Sequence, residues 1–330
     1  MNPTHITDMA SAFYNSCVLF SASDLGIFDC LKKNKAATCE TVAAECQLDP
    51  RGARLLLDAC VAVQLLQKSD GIYSNTPESN LFLTSDSPAY LGKAIRYNRD
   101  VYQAWSKLPE LARTGKPVEQ PEIHLGDDKE RTRTFVYSMH GRAMGIGRAV
   151  IPMLNLSGCK KLLDVGGGPG TYSVLMAQAY PELSCTVIDL PGVVEVANEL
   201  IAQQDMQDRV KTIPGSYHTT EFPSNMDAIV FFGVLHQESP DDIRKLFKKA
   251  YNALVPGGKI YVLDMMTDPS HTSPAFSALF AVNMALTTEN GWVFSDAELE
   301  NWLTESGFSH FECNPIPPPM PHWLASATKS

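Results

Sequence analysis

"KKLLDVGGGPGTYSVLMAQAYPELSCTVIDL" (160–190) decides the fold. A short apolar run, "LLDV", meets three glycines at alternate positions, Gly166, Gly168 and Gly170. A helical segment follows, and a second β-rich run ends in Asp189. Strand, glycine turn, helix and strand in that order predict one unit of a parallel, doubly wound sheet, because a parallel pair needs a crossover. The same alternation continues through "RVKTIPG" (209–215), "MDAIVFFGVLH" (226–236) and "GGKIYVLDMM" (257–266). After a closing helix, "SDAELENWLTESGF" (295–308), the runs "SHFECNPI" (309–316) and "HWLASATK" (322–329) predict an antiparallel pair at a sheet edge.

Glycines at a strand–helix turn let the backbone bend sharply and a ligand approach it closely. Asp189, twenty-five residues after Asp164, stands where an acid can accept hydrogen bonds from ribose hydroxyls. Nicotinamide dinucleotides and S-adenosylmethionine both carry that ribose. The dinucleotide fingerprint G-x-G-x-x-G needs a glycine where this chain has Thr171. The G-x-G-x-G spacing behind Asp164 suits a ligand that lacks pyrophosphate and carries an ammonium group, so the expected cofactor is S-adenosylmethionine.

A second stretch bears the chemistry. In "FFGVLHQESPDDIRKLF" (231–247) an apolar strand runs into His236, and a helix begins after Ser239. Ser239 is the expected cap, Pro240 the first helical residue, and Asp241 and Asp242 suit the positive end of the dipole. The apolar face expected for that helix is Ile243, Leu246, Phe247, Ala250, Tyr251 and Leu254. His236 falls outside it, at the carboxyl end of a strand, where doubly wound sheets hold their ligands. Imidazole exchanges protons near neutral pH, so His236 is a candidate general base.

Residues 8–100 read instead as helices with one hairpin. Asp49-Pro50 joins two helices, and Asp70-Gly71 turns a hairpin, the order of a winged helix. Arg51 and Arg54 are followed by a long apolar stretch, which suits burial against another chain better than a DNA groove. The formal charge of −10 argues against nucleic acid or an anionic membrane as the main partner. Eight scattered cysteines without a C-x-x-C pair imply neither a disulfide framework nor a metal site, and with no apolar leader the expectation is a cytoplasmic protein. A Pro-containing connector (114–128) lies near the boundary between a helical domain, 1–105, and an α/β domain, 106–330.

On "LLDVGGGPGTYS", "VIDLPGVVEVA", "VLH", "ALVPGGKIYVLD" and "NMALTTENG", the chain resembles the class I methyltransferases, and among them the plant-type and bacterial small-molecule O-methyltransferases. "LGIFDCL" and "LDPRGARLLLDACVAVQLLQKSDGIYSNT" resemble that family's N-terminal dimerisation domain. The resemblance covers nearly the whole chain. It implies a homodimer, a seven-stranded mostly parallel sheet and a small-molecule acceptor. It puts the catalytic histidine on His236 and its partner acid on Asp264. Cofactor contacts fall on Asp164, Gly166, Gly168, Gly170, Asp189, Leu190, Gly215, Ser216, Tyr217 and Phe232. The acceptor pocket falls on Phe135, Met139, His140, Asn283 and Met284, with Arg142, Trp105, Tyr102 and Arg99 as further candidates to stack on a ring or bind a carboxylate.

The chain departs from that pattern in three places. Gln237-Glu238 replaces Asp-Trp after the histidine, Val293 stands where many relatives have a second acid, and Gly215-Ser216 replaces the Gly-Asp that contacts adenine. A thioether, nitrogen or carbon acceptor, needing no strong base, is therefore a second reading. An oxidoreductase, a ligand-sensing regulator and a repurposed enzyme are more remote ones.

Overall fold

The structure, a computed structural model, describes residues 2–119, 128–318 and 320–330. Residues 120–127 of the expected connector lie outside the described residues. The chain divides into two compact units, Met1–Asp100 and Val101–Ser330.

In the first unit, helix Cys39–Glu45 is capped by Thr38, and helix Pro50–Ala62 by Asp49, whose Oδ1 accepts the Gly52 N–H at 2.9 Å. Strands β1 (Ala37–Thr38), β2 (Leu66–Ser69) and β3 (Ile72–Asn75) pair antiparallel in the order β1-β3-β2. Asp70 and Gly71 turn the β2–β3 hairpin with positive φ, as the Asp-Gly pair predicts. Ile27, Phe28, Leu31, Val42, Leu57 and Tyr73 form the core. The first helix, Thr4–Ser11, buries none of its residues.

The second unit is a seven-stranded sheet. Its strands are β4 (Lys161–Val165), β5 (Ser184–Asp189), β6 (Val210–Pro214), β7 (Met226–Phe232), β8 (Leu254–Asp264), β9 (Phe308–Pro315) and β10 (Trp323–Lys329). They lie in the order β6-β5-β4-β7-β8-β10-β9; β4 to β8 run parallel, and β10 is antiparallel to both neighbours. β10 thus sits inside the sheet and only β9 forms that edge. Side chains alternate between the two faces. Leu162, Val230 and Leu263 meet helices Lys129–Val150 and Thr171–Ala179; Leu163, Phe231 and Val262 meet helices Pro240–Ala253 and Asp296–Glu305.

Helix Pro240–Ala253 begins as its sequence predicts: Ser239 Oγ accepts the Asp242 N–H at 3.2 Å, and Ile243, Leu246, Phe247 and Ala250 are buried. It ends one residue early, because Leu254 is the first residue of β8 and pairs with Met226 of β7. The strand order reverses between β4 and β7. Ligands of doubly wound sheets bind at that reversal, and it brings the glycine turn beside the segment holding His236.

Candidate active site

The turn after β4 is a left-handed backbone series. Gly166, Gly168 and Gly170 have φ of 65°, 54° and 70°, which side-chain-bearing residues rarely adopt. A Cβ on Gly166 would strike Val234 Cγ2 at 2.7 Å, whereas one on Gly168 would meet nothing within 4 Å. The turn is closed toward β7 and open on its outer side, a cradle that backbone alone can line. Asp189 fastens it from β5: Oδ2 accepts the Gly168 N–H and Oδ1 the Leu190 N–H, each at 2.7 Å. Burial raises the Asp189 pKa, and these two bonds oppose the rise.

Asp164 lies beneath the turn. It is fully buried, sits where a Gly167 side chain would go, and accepts the Ser173 hydroxyl on Oδ2 at 2.7 Å. Its Oδ1 has no partner among the described residues. Burial pushes its carboxyl up to about 7. Between the ordinary carboxylate value near 4 and about 7, the folded chain keeps a proton that the unfolded chain has released, so stability falls as pH rises through that window. The loss is at most on the order of 4 kcal/mol. Asp164→Asn is expected to gain stability relative to the native chain between pH 5 and 8 in urea titrations without cofactor. Parallel pH profiles for the two proteins would count against this.

Beyond β6, Gly215 donates its N–H to the Asp189 carbonyl at 2.8 Å. Tyr217 comes within 3.3 Å of a Cβ built on Gly166, so its ring stands over the glycine turn. Here the departures from the family pattern answer one another. Glu238, 5% exposed, accepts the Tyr217 hydroxyl at 2.6 Å, and His218 Nε2 lies 3.3 Å from its other oxygen. Gln237 Nε2 donates to the Tyr217 hydroxyl at 3.1 Å. Lys249 Nζ holds the carbonyls of Tyr217, His218 and Thr220 at 2.7, 3.1 and 2.8 Å. Burial, then the Glu238 charge, raises the Tyr217 pKa strongly, so this phenol stays a hydrogen-bond donor.

His236 lies past the end of β7, on a 3-10 turn, Leu235–Gln237, rather than on the strand itself. Its ring meets the end of β8. Nδ1 is 2.7 Å from Asp264 Oδ1, which also accepts the Met265 N–H at 2.9 Å, while Oδ2 accepts the His236 backbone N–H at 3.3 Å. Asp264 is 1% exposed. With Nδ1–H donated to this carboxylate, Nε2 carries the free lone pair that a base needs. The Phe280 ring packs edge-on against the imidazole, with centroids 5.3 Å apart, and the Trp292 backbone N–H donates to the His236 carbonyl at 2.9 Å.

Helix Ala275–Thr287 supplies Phe280 and Met284, which pack with Met265 and Val293 beside Asp264. Val293, in place of an acid, is 2% exposed and part of that apolar wall. Asn283 is buried and its Oδ1 accepts the Trp105 indole N–H at 2.9 Å, so the amide positions an aromatic ring. His140 Nδ1 lies 2.8 Å from the Thr171 hydroxyl, tying helix Lys129–Val150 to the helix after the glycines. Met139 and Arg142 are half-buried on the same helix. Phe135 packs with Leu190, Val193 and Leu200, toward the cofactor side and apart from the group around Phe280. Phe232 is buried at the end of β7, its ring edge-on to Tyr172 at 5.1 Å.

Arg99 is no substrate cation: it forks onto both oxygens of Asp24 at 2.8 Å and holds Asp100 at 2.7 Å, all within the first unit. Sequence reading missed Phe280 and His322. Phe280 carried a signal, standing three residues before Asn283 on one helical face. His322 carried none, since only the return of the chain through β10 brings it near β8. A surface cavity of about 520 Å³, lined in part by Pro240, Arg244, His271 and Trp302, includes none of these residues. Among the described residues no cluster of side chains could hold a metal ion, and no helix is long and apolar enough to cross a membrane.

Comparison with known proteins agrees with this arrangement. Residues 118–309 match the family model of the O-methyltransferase domain, and residues 7–85 that of the O-methyltransferase dimerisation domain. The chain is 30% identical over 311 residues to 3-hydroxy-5-methyl-1-naphthoate 3-O-methyltransferase of Streptomyces sahachiroi, covering 93% of this chain and 90% of that protein. It is 28% identical over 333 residues to L-tyrosine C(3)-methyltransferase of Streptomyces lavendulae, covering 97% and 90%. The crystal structure of human N-acetylserotonin methyltransferase in complex with SAM superposes with a TM-score of 0.89 at 26% identity, covering 99% and 97% of the two chains.

Proposed function

Because the chain belongs to the O-methyltransferase family, and so transfers methyl groups from S-adenosylmethionine to a small molecule, we propose that its acceptor is an aromatic hydroxyl deprotonated by His236. The observation that carries this reading is the 2.7 Å His236–Asp264 contact, in which a buried carboxylate fixes the ring and leaves Nε2 bare.

The residues fit the cofactor. The open turn at Gly168 admits it, Asp189 accepts from its ribose, Tyr217 covers its base, and the orphaned Asp164 Oδ1 favours a cationic group above the turn. Bound there, S-adenosylmethionine supplies an electrophilic methyl group on a positively charged sulfur. The protein's own task is to orient the acceptor and take its proton. Nε2 of His236 accepts the hydroxyl proton as the oxygen becomes nucleophilic, and Asp264 stabilises the imidazolium that results. Phe280 and Met284 offer a flat apolar wall to an aromatic ring. The hydroxynaphthoate acceptor named for the Streptomyces sahachiroi relative is of this kind.

We further propose that the first unit joins two copies of the chain and that catalysis belongs to the second. Ile6, Met9, Phe13 and Tyr14 are exposed in succession, and a run this apolar is rarely left in water. Met9→Glu with Phe13→Glu is expected to convert a dimer into the 36.2 kDa monomer in light scattering. A doubly substituted protein that still elutes as a dimer would sink this assignment.

A further inference from the structure

Glu238 is 5% exposed, and the methyl transfer gives its carboxyl group no proton to take. A buried acid is costly to desolvate and is kept where its hydrogen bonds offset that cost. Its Oε1 accepts the Tyr217 hydroxyl at 2.6 Å, the length of a charge-assisted O–H to carboxylate bond, and Oε2 lies 3.3 Å from His218 Nε2. Gln237 reaches the same hydroxyl from the neighbouring position, its Nε2 donating at 3.1 Å. Two consecutive side chains converge on one phenol, and the ring they hold stands over the glycine turn.

The same residue closes the turn that carries the base. The Glu238 N–H donates to the Leu235 carbonyl at 3.1 Å, completing the turn Leu235–Gln237 around His236. Trp292 clasps this main chain at two points. Its indole N–H donates to the Glu238 carbonyl at 2.8 Å, and its backbone N–H to the His236 carbonyl at 2.9 Å. The indole is itself packed against Phe294 and Trp302, with centroids 6.2 and 5.8 Å away. Val234, which leads into the turn, lies 2.7 Å from a Cβ built on Gly166, and Tyr217 comes within 3.3 Å of the same point. The glycine turn, the Tyr217 ring and the His236 turn therefore pack on one another. Glu238 joins the last two, by its side chain and by its main chain.

A base must point correctly as well as carry the right tautomer, and a misplacement of about 1 Å can cost about 100-fold in rate. Asp264 holds Nδ1, but where Nε2 points depends on the main chain beneath the ring. That main chain is anchored by Trp292 on one flank and by the Glu238–Tyr217 bond on the other. Without the second anchor the turn is held from one flank only.

We propose that Glu238 is a positioning residue for both halves of the reaction: it holds the Tyr217 ring over the cofactor's base and, through the turn it closes, it sets the His236 ring. This rests on the reading of His236 as the base.

The test compares the full-length native protein with Glu238→Ala, Glu238→Gln, Tyr217→Phe, and Tyr217→Phe combined with Glu238→Ala. S-adenosylhomocysteine is titrated calorimetrically, and the stoichiometry counts folded sites. Nitrogen-15 signals of the neutral His236 ring, assigned by their absence in His236→Ala, report which nitrogen carries the proton. Turnover per folded site is measured at saturating S-adenosylmethionine and acceptor, with phenols of one and two rings. Glu238→Ala and Tyr217→Phe are each expected to weaken S-adenosylhomocysteine about 3- to 10-fold and to lower kcat about 10-fold, together the scale of one charge-assisted bond. Their His236 signals should move from the Nδ1–H form toward a mixture of tautomers. The double variant should be no more than about 3-fold worse than either single one, since both break the same bond. Glu238→Gln, whose amide oxygen still accepts from the phenol, should recover kcat to within about 3-fold of native. Weakened binding with an unchanged His236 ring, or a changed ring with unchanged binding, overturns the double role. Additive losses in the double variant overturn it too. If no phenol is methylated, the aromatic-hydroxyl reading fails, and calorimetry with the ring signals still decides the role of Glu238.

Discussion

Replacing His236 by alanine is expected to lower kcat by roughly 10²- to 10⁴-fold while S-adenosylmethionine affinity stays within about 3-fold. The ring is held by Asp264 at Nδ1 and by Phe280 at its face, and the main chain of His236 is fixed by the Trp292 backbone N–H. A base already oriented pays little to reach the transition state, so its removal costs a large share of the chemical step. Its closest contacts run to β8 and helix Ala275–Thr287 rather than to the glycine turn, so the cofactor should bind as before. Asp264→Asn extends the test, because an amide that donates to Nδ1 would enforce the wrong tautomer and put the proton on Nε2. Methyl transfer from labelled S-adenosylmethionine, read by mass spectrometry, measures both variants. A His236→Ala enzyme within about 5-fold of native turnover would make the histidine structural and favour a thioether or carbon acceptor.

Asp189→Ala should weaken S-adenosylmethionine by roughly 10²- to 10³-fold, the largest effect expected at the cofactor site. The carboxylate holds the Gly168 and Leu190 N–H groups at 2.7 Å and has lone pairs left for two ribose hydroxyls. Alanine removes the ribose acceptor and also frees the Gly168 N–H, loosening a turn that depends on left-handed glycines. Two charge-assisted bonds at the lower end of their usual worth, about 1.5–2 kcal/mol each, account for the range. Asp189→Asn, which can keep one of the backbone contacts, should fall between the two. Calorimetric titration with S-adenosylmethionine, alongside thermal melts of the apo proteins, separates binding from folding. A dissociation constant within 10-fold of native for the alanine variant would remove Asp189 from the ribose site.

The glycine turn, Asp189 and His236 were legible in the sequence because each sits at the end of a short, β-rich apolar run, the mark of a buried parallel strand. The helix after Ser239 was legible for the same local reasons, a cap, a proline and two acids in succession. The end of that helix was not. Leu254 fits the helical face, yet pairing with Met226 draws it into β8, and no local signal registers a partner strand. The departures at Ser216, Gln237 and Glu238 looked like losses when read one at a time. In the folded chain Glu238 and Gln237 both bond the Tyr217 hydroxyl, so they are parts of one rearranged support.

The sequence by itself determined the fold class, the cofactor and the identity of the candidate base, since hydrophobic period, glycine spacing and capping act over a few residues. Only the tertiary structure decided the rest. It buried Asp164 under the turn, spent Arg99 on Asp24, paired Asn283 with Trp105 and, through the β8–β10 ladder, brought His322 next to the end of β8. Those outcomes depend on contacts between residues far apart in the chain, 178 positions for Trp105 and Asn283, and on what each side chain meets once water is excluded.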